Sequence, residues 1–160
     1  MNASVYRLLH ILGLLLCISL SSLPAKVTAN GIPDAYERTS RKNLKELIED
    51  VEFAITEQNL RIVERLHVGE AIRERGNEDF PDYEIILYCS LTFAEKILKL
   101  DPQMINACPG RITIRGKEDS YILSAQLWQE LPGNEKLNVL IRDMNEILVN
   151  IIDHAILKWE

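Results

Sequence analysis

The C-terminal part of the chain constrains the fold more than any other feature. After Pro132-Gly133-Asn134, apolar residues recur at steps of three and four, the spacing of one helix face. A helix of about 25 residues extends about 37 Å. An apolar stripe of that length must be covered by a sheet or by a partner subunit. The stripe consists of Leu137, Leu140, Ile141, Met144, Ile147, Leu148, Ile151, Ile152, Ala155 and Trp159.

The rest of the chain supplies the sheet. Apolar spacing predicts a first helix over residues 44–59, with Ser40 or Asn43 as its cap. Alternating apolar residues predict a weak strand at 35–39 and strands at 60–68, 83–91, 111–115 and 120–128, with short helices in two connections. The order strand, helix, four strands, helix predicts an α+β fold, in which two main helices pack on a mostly antiparallel sheet of four or five strands.

The N-terminal segment has the three-part pattern of a secretory signal peptide. Arg7 precedes an apolar run over residues 8–20, and a stretch of small and polar residues ends at Ala29. The pattern predicts a cleavable signal peptide over 1–29 and a single domain over 30–160. The run is shorter than the ~20 residues that cross a membrane. We therefore expect export to the periplasm or cell exterior, with no stable membrane anchor after cleavage.

The charge of the chain excludes one class of partner. The formal net charge is −6, and cleavage after Ala29 would remove two cations, Arg7 and Lys26, to leave −8. Nucleic-acid binding demands a basic surface. We therefore expect no nucleic-acid partner for the mature domain.

Two of the three cysteines, Cys89 and Cys108, belong to the mature domain. Export permits a disulfide between them. Strand alternation groups Cys89 with apolar neighbours, which favours a buried, inert thiol, whereas Cys108 precedes a turn that opens a different strand. We therefore expect the two to lie apart and unlinked, with Cys108 the more exposed. Cys89, Cys108 and His67 are also the candidate ligands for a soft metal ion.

A basic strand face is the second candidate site. Arg61, Arg65 and His67 alternate along one predicted strand, and Arg111 and Arg115 alternate along another. Such a face is either a solvated or dimer-contacting surface, or a site for an anion or small ligand. The candidate ligand-binding residues are His67, Cys108, Arg61, Arg65 and Arg111.

Four segments of the chain together resemble a known family. They are Leu66-His67-Val68-Gly69, Tyr83-Glu84-Ile85-Ile86-Leu87-Tyr88-Cys89, Ala94-Glu95-Lys96-Ile97-Leu98-Lys99-Leu100-Asp101-Pro102 and Ala107-Cys108-Pro109-Gly110-Arg111-Ile112-Thr113-Ile114. Their order and spacing are similar to those of the domain-of-unknown-function family 302, and the similarity spans about residues 43–156. The resemblance implies an α+β fold akin to that of the TATA-binding protein and a tendency to form homodimers, and it implies no activity.

The sequence favours binding over catalysis. It contains no glycine-rich phosphate loop, no Gly-x-Ser-x-Gly elbow and no paired-carboxylate motif. The leading hypothesis is recognition of a small ligand, ion or protein partner in the cell envelope. The alternative is a thiol-dependent role in redox chemistry, sulfur handling or soft-metal binding, through Cys108 with Cys89 and His67. No cofactor is indicated.

Overall fold

The computed structural model describes residues 35–118 and 120–157, so the predicted signal peptide and Trp159 lie outside the described residues. The predicted element order is confirmed. The elements are β1 (Ala35–Ser40), α1 (Leu44–Glu57), β2 (Arg61–His67), α2 (Val68–Arg73), β3 (Asp82–Cys89), α3 (Leu91–Leu100), a 3₁₀ helix (Pro102–Ala107), β4 (Gly110–Lys117), β5 (Ser120–Gln126) and α4 (Glu135–Ala155).

The five strands form one antiparallel sheet in the order β1-β5-β4-β3-β2. One face is covered by α1 and α4, where Ile86, Ile112 and Leu123 are fully buried. Alternate residues on the opposite face, such as Ile85 and Leu87, are only half-buried. We call this opposite side the open face. The predicted α+β fold with helices packed on an antiparallel sheet is confirmed.

Helix α4 supplies much of the core. Its buried residues include Ile141, Leu148 and Ile151, which confirms the predicted stripe. Leu140 and Ile147 lie at the edge of the stripe and are half-buried. The helix has 21 residues, fewer than predicted. Among residues 35–118 and 120–157, no helix combines the length and apolarity needed to cross a membrane.

The caps of α1 follow the sequence pattern. Asn43, rather than Ser40, is the N-cap, because its Oδ1 accepts a hydrogen bond of 2.9 Å from the Glu46 backbone N–H. Its Nδ2 also donates to Glu46 Oε2. Asn59 follows the helix with φ 56°, a left-handed conformation that asparagine tolerates. The chain therefore turns sharply from α1 into β2.

A β-bulge in β2 overturns the predicted alternation of that strand. The register shifts between Ile62 and Glu64, so Val63 is an extra residue. The bulge reverses the faces beyond it, and Arg65 and His67 pair with residues of β3 on the helix-covered side, whereas Arg61 lies on the open face. The prediction that Arg61, Arg65 and His67 share a face is therefore wrong.

The surroundings of β3 also differ from the prediction. The strand lies between β4 and β2, but the described residues cover only one of its faces. Its apolar residues on the open face are therefore half-buried, not part of the core. The following helix begins at Leu91, which is 79% exposed, and is capped by Ser90 instead of Thr92.

Candidate functional site

Two cysteines meet where β3 ends and β4 begins. The register pairs Tyr88 with Gly110, which brings Cys89, at the end of β3, beside Cys108, just before β4. The two Sγ atoms are 3.0 Å apart, and both residues are half-buried free cysteines. The expectation that these residues lie apart is therefore wrong. The reason is the pairing of β3 with β4, which places the beginning of one strand at the end of the other.

Gly110 leaves room for the side chain of Tyr88, its partner in the β3–β4 register. The ring of Tyr88 lies against the Gly110 backbone, and a Cβ at position 110 would stand 2.3 Å from Tyr88 Cζ. Tyr88 is 2% exposed. Its burial, and secondarily the charge that Cys108 carries when ionised, raise the pKa of the Tyr88 hydroxyl far above its usual range. A neutral phenol therefore borders the thiol pair.

The proton of the Cys108 thiol is tightly held. Burial raises the pKa of Cys108 to about 11, with further contributions from the hydrogen bond to Cys89 and from the Cys89 charge. A thiol with that pKa keeps its proton near neutral pH, and only a thiolate is a good nucleophile. Cys108 is consequently a poor nucleophile near neutral pH, although the sequence marked it as the reactive cysteine.

Two cavities lie near the thiol pair. One is a cleft of about 530 Å³ that Cys89 itself lines, together with Arg61, Val63 and Leu91. The other is a groove of about 420 Å³ that is lined by chain neighbours of the cysteines and by Arg111 and Trp128. The cleft gives a small molecule direct access to Cys89. The cysteine neighbours that line the groove are Tyr88, Ala107 and Pro109.

Two asparagines of α4 hold the segment that follows β5, and Trp128 of this segment lines the groove. Strand β5 ends at Gln126, earlier than predicted, and the backbone of Trp128 instead pairs with the Asn145 side chain. Asn145 Oδ1 accepts from Trp128 N at 2.8 Å, and Asn145 Nδ2 donates to Trp128 O at 2.9 Å. Asn138 makes the equivalent pair of bonds with Leu131. The sequence signal for this role was available, since both asparagines interrupt the apolar side of α4 at an interval of seven residues.

The structure brings together only part of the predicted ligand set. Arg61 lies directly across from Cys89 in the β2–β3 register, and Arg111 lies across from Leu87, one open-face position away from Cys89. His67 instead pairs with Glu84, five residues back along β3 from Cys89. That separation is about 17 Å along a strand. Cys89, Cys108, Arg61 and Arg111 thus surround one end of the sheet, whereas Arg65 and His67 lie toward the other end.

His67 belongs to a separate polar cluster. His67 Nδ1 is 2.8 Å from Glu84 Oε2, and Glu84 is 5% exposed. Arg65 Nε donates to His67 Nε2 at 3.4 Å, and Arg65 also pairs with Glu52 of α1. Both ring nitrogens therefore have partners from the same chain. These side chains border a cavity of about 500 Å³ that does not include the cysteines.

The predicted metal-binding trio is not assembled. Cys89 and Cys108 are adjacent, but His67 is remote from both. In the part of the chain that the structure describes, no three His, Cys, Asp or Glu side chains lie close enough to hold a metal ion together.

The fold and the thiol pair define a small α+β domain with one open sheet face, and comparison with known proteins gives its family. The family model "Domain of unknown function DUF302" matches residues 36–155, so the chain belongs to this family. Among solved structures, it resembles an uncharacterized conserved DUF302 protein from Bacillus stearothermophilus, with a TM-score of 0.68 and 16% identity over 76% of this chain and 97% of the other. No curated protein matches the sequence.

Proposed function

We propose that this protein exchanges thiols and disulfides through Cys89 and Cys108 in the periplasm or outside the cell. The observation that supports the proposal most directly is the 3.0 Å separation of the two Sγ atoms. A disulfide bond is about 2.05 Å long, so small movements of the side chains suffice to close it. The thiol-dependent role, which was the alternative hypothesis from the sequence, is thus better supported than recognition of an unspecified ligand.

The exchange has two steps. The Cys89 thiolate attacks one sulfur of a substrate disulfide, forms a mixed disulfide and releases the first substrate thiolate. Cys108 then attacks Cys89 Sγ, displaces the second substrate thiolate and transfers its own proton to it. The protein loses two electrons and becomes a disulfide, and the substrate disulfide is reduced to two thiols.

The accessibility of Cys89 and the raised pKa of Cys108 support this order of attack. Cys89 lines an open cleft, and Cys108, with a pKa raised to about 11, remains protonated until the second step. Attack on a mixed disulfide within the same molecule is favoured by the high effective concentration of a neighbouring thiol. Cys89 is therefore the attacking cysteine and Cys108 the resolving cysteine.

Trapping the mixed disulfide tests the proposal. The reduced protein is incubated with bis(2-hydroxyethyl) disulfide, and its mass is measured for the wild type, Cys108→Ser and Cys89→Ser. We expect an intramolecular disulfide in the wild type and a stable mixed disulfide on Cys89 in Cys108→Ser. We expect much slower modification of Cys89→Ser. Equal modification rates in the two serine variants would contradict the assigned roles.

The homodimer that the family resemblance implies also has a candidate surface. Leu66 and Tyr83 are 42% and 38% exposed, and they lie with half-buried Ile85 on the open face, at the end remote from Cys89. Exposed apolar patches are typical of protein interfaces. We propose that this patch joins two copies of the chain and leaves the thiols accessible. Light scattering should give a dimer for the wild type and a monomer for Leu66→Glu. Val139→Glu, on the exposed side of α4, is the control and should remain a dimer.

A further inference from the structure

The cleft that Cys89 lines and the groove near the thiol pair share an unusual charge pattern. The chain is acidic, with 24 Asp and Glu residues against 18 Lys and Arg residues. Nevertheless, among residues 35–118 and 120–157, no Asp or Glu lines the cleft, and none lines the groove. Of the same residues, the one charged residue that lines the cleft is Arg61, and the one that lines the groove is Arg111. The charged side chains that line the two cavities are therefore both cationic within a negatively charged protein, and Glu64, across from Leu87 on the same face, lines neither cavity.

Neither arginine is neutralised by the protein. Among the described residues, no carboxylate forms an ion pair with Arg61 or Arg111, and Arg111 Nη2 donates to the neutral Gln126 side chain at 2.8 Å. Arg115 provides the contrast on the same face, because it makes two hydrogen bonds to the carboxylate of Glu37 at 3.0 and 3.2 Å. Guanidinium groups bind carboxylates with matching geometry. Arg61 and Arg111 are thus available for carboxylates of a ligand.

The positions of the arginines fit a ligand that lies across Cys89. Arg61 is directly opposite Cys89 on β2, and Arg111 is diagonal to Cys89 on β4. Diagonal neighbours on one sheet face are about 7–8 Å apart, within reach of long side chains. A disulfide above Cys89 would therefore have one arginine on either side.

We infer that the substrate is an anionic disulfide of peptide size that carries a carboxylate on each half. Arg61 binds the carboxylate of one half in the cleft, and Arg111 binds that of the other half in the groove. This inference rests on the proposed thiol–disulfide exchange, because it names the substrate class of the same site. Electrostatic attraction to the two arginines also speeds encounter, and the gain is lost at high salt.

Three disulfides of different charge test the inference. Glutathione disulfide is anionic with carboxylates on each half, bis(2-hydroxyethyl) disulfide is neutral, and cystamine is dicationic. The rate of mixed-disulfide formation in Cys108→Ser is measured for each, with Arg61→Gln, Arg111→Gln and both together. Arg115→Gln is the matched control, because it removes an arginine of the open face that is already paired.

With both arginines in place, we expect mixed-disulfide formation to be faster with glutathione disulfide than with the neutral disulfide. Each of Arg61→Gln and Arg111→Gln should lower that preference about fivefold, the upper range for an exposed ion pair. Arg115→Gln should leave it unchanged, and 0.5 M salt should abolish most of it. A preference that the two variants do not alter, or a faster reaction with cystamine than with glutathione disulfide, would overturn the inference.

A binding measurement separates this inference from the proposed exchange. The double variant Cys89→Ser/Cys108→Ser cannot react, and its affinity for glutathione disulfide is followed by the chemical shifts of the Trp128 indole and the arginine side chains. Binding that weakens with Arg61→Gln and Arg111→Gln supports the carboxylate site even if no exchange occurs. If the protein exchanges with the neutral disulfide but does not bind glutathione disulfide, the inferred substrate class is wrong and the proposed exchange is still supported.

Discussion

Cys89 and Cys108 lie with their Sγ atoms 3.0 Å apart because the end of β3 is paired with the beginning of β4. This relationship affects the acidity of Cys108. Burial and the neighbouring Cys89 raise the pKa of Cys108 to about 11, against an ordinary value of 9.0. The same difference links the stability of the reduced protein to pH.

The reduced protein should lose stability as the pH rises from about 9 to about 11. In that range, Cys108 ionises in the unfolded chain but remains protonated in the folded protein, so the unfolded state binds fewer protons and gains population. Below pH 9, this group should contribute no pH dependence. Urea titrations of reduced wild type and Cys108→Ser give the difference directly. A difference that stays constant between pH 8 and 11 would contradict the raised pKa.

Lys42 should be one of the most sensitive polar residues. Its side chain is 2% exposed, and its Nζ contacts Asp50 Oδ2 at 2.5 Å and donates to the backbone oxygens of Ala155 and Leu157 at the end of α4. Lys42→Met should lower the free energy of unfolding by about 3–5 kcal/mol, because it leaves a carboxylate and helix carbonyls without their partner. Lys45→Met is the control, because the Lys45 side chain is 86% exposed. It should change the free energy of unfolding by less than about 0.5 kcal/mol.

Asn145→Ala should loosen the wall of the groove. The substitution removes both hydrogen bonds to the Trp128 backbone and should cost about 1–3 kcal/mol. Trp128 packs edge-to-face on Phe93 at 5.8 Å, so its near-ultraviolet circular dichroism should also weaken. Asn150→Ala on the exposed side of α4 is the matched control. Equal stability of the two variants would refute a positioning role for Asn145.

Gly110→Ala should destabilise the protein through Tyr88. The added Cβ would stand 2.3 Å from the Tyr88 ring, and overpacking of this kind costs about 1–3 kcal/mol. Tyr88→Leu should reduce the clash, so the double variant should lose less stability than the sum of the two single losses. Strict additivity in urea titrations would show that the ring does not oppose a side chain at position 110.

The sequence predicts the element order of this domain because local patterns specify it. The spacing of Ile141, Met144 and Leu148 defines the buried side of α4, and Asn43 with Glu46 defines the start of α1. These signals depend only on residues close in the chain. They need no knowledge of which strands pair.

Which residues meet at the site depends on which strands pair and in what register, and local sequence patterns do not reveal this. Both faces of β3 carry apolar residues, so alternation alone did not distinguish the covered face of Ile86 from the open face of Leu87. The bulge at Val63 reverses the faces of Arg65 and His67 without any glycine or proline to signal it. The contact between Cys89 and Cys108 likewise exists only once β3 and β4 are in register.

The most direct test of the account is a redox titration of the native protein. The purified protein is equilibrated with mixtures of reduced and oxidised dithiothreitol or glutathione and quenched with acid. The thiols that remain free on Cys89 and Cys108 are then counted by mass. We predict one reversible two-electron transition, with both cysteines free under reducing conditions and both linked under oxidising conditions. Thiols that remain free at every ratio, or a disulfide that no native reducing condition opens, would contradict thiol–disulfide exchange as the function of this protein.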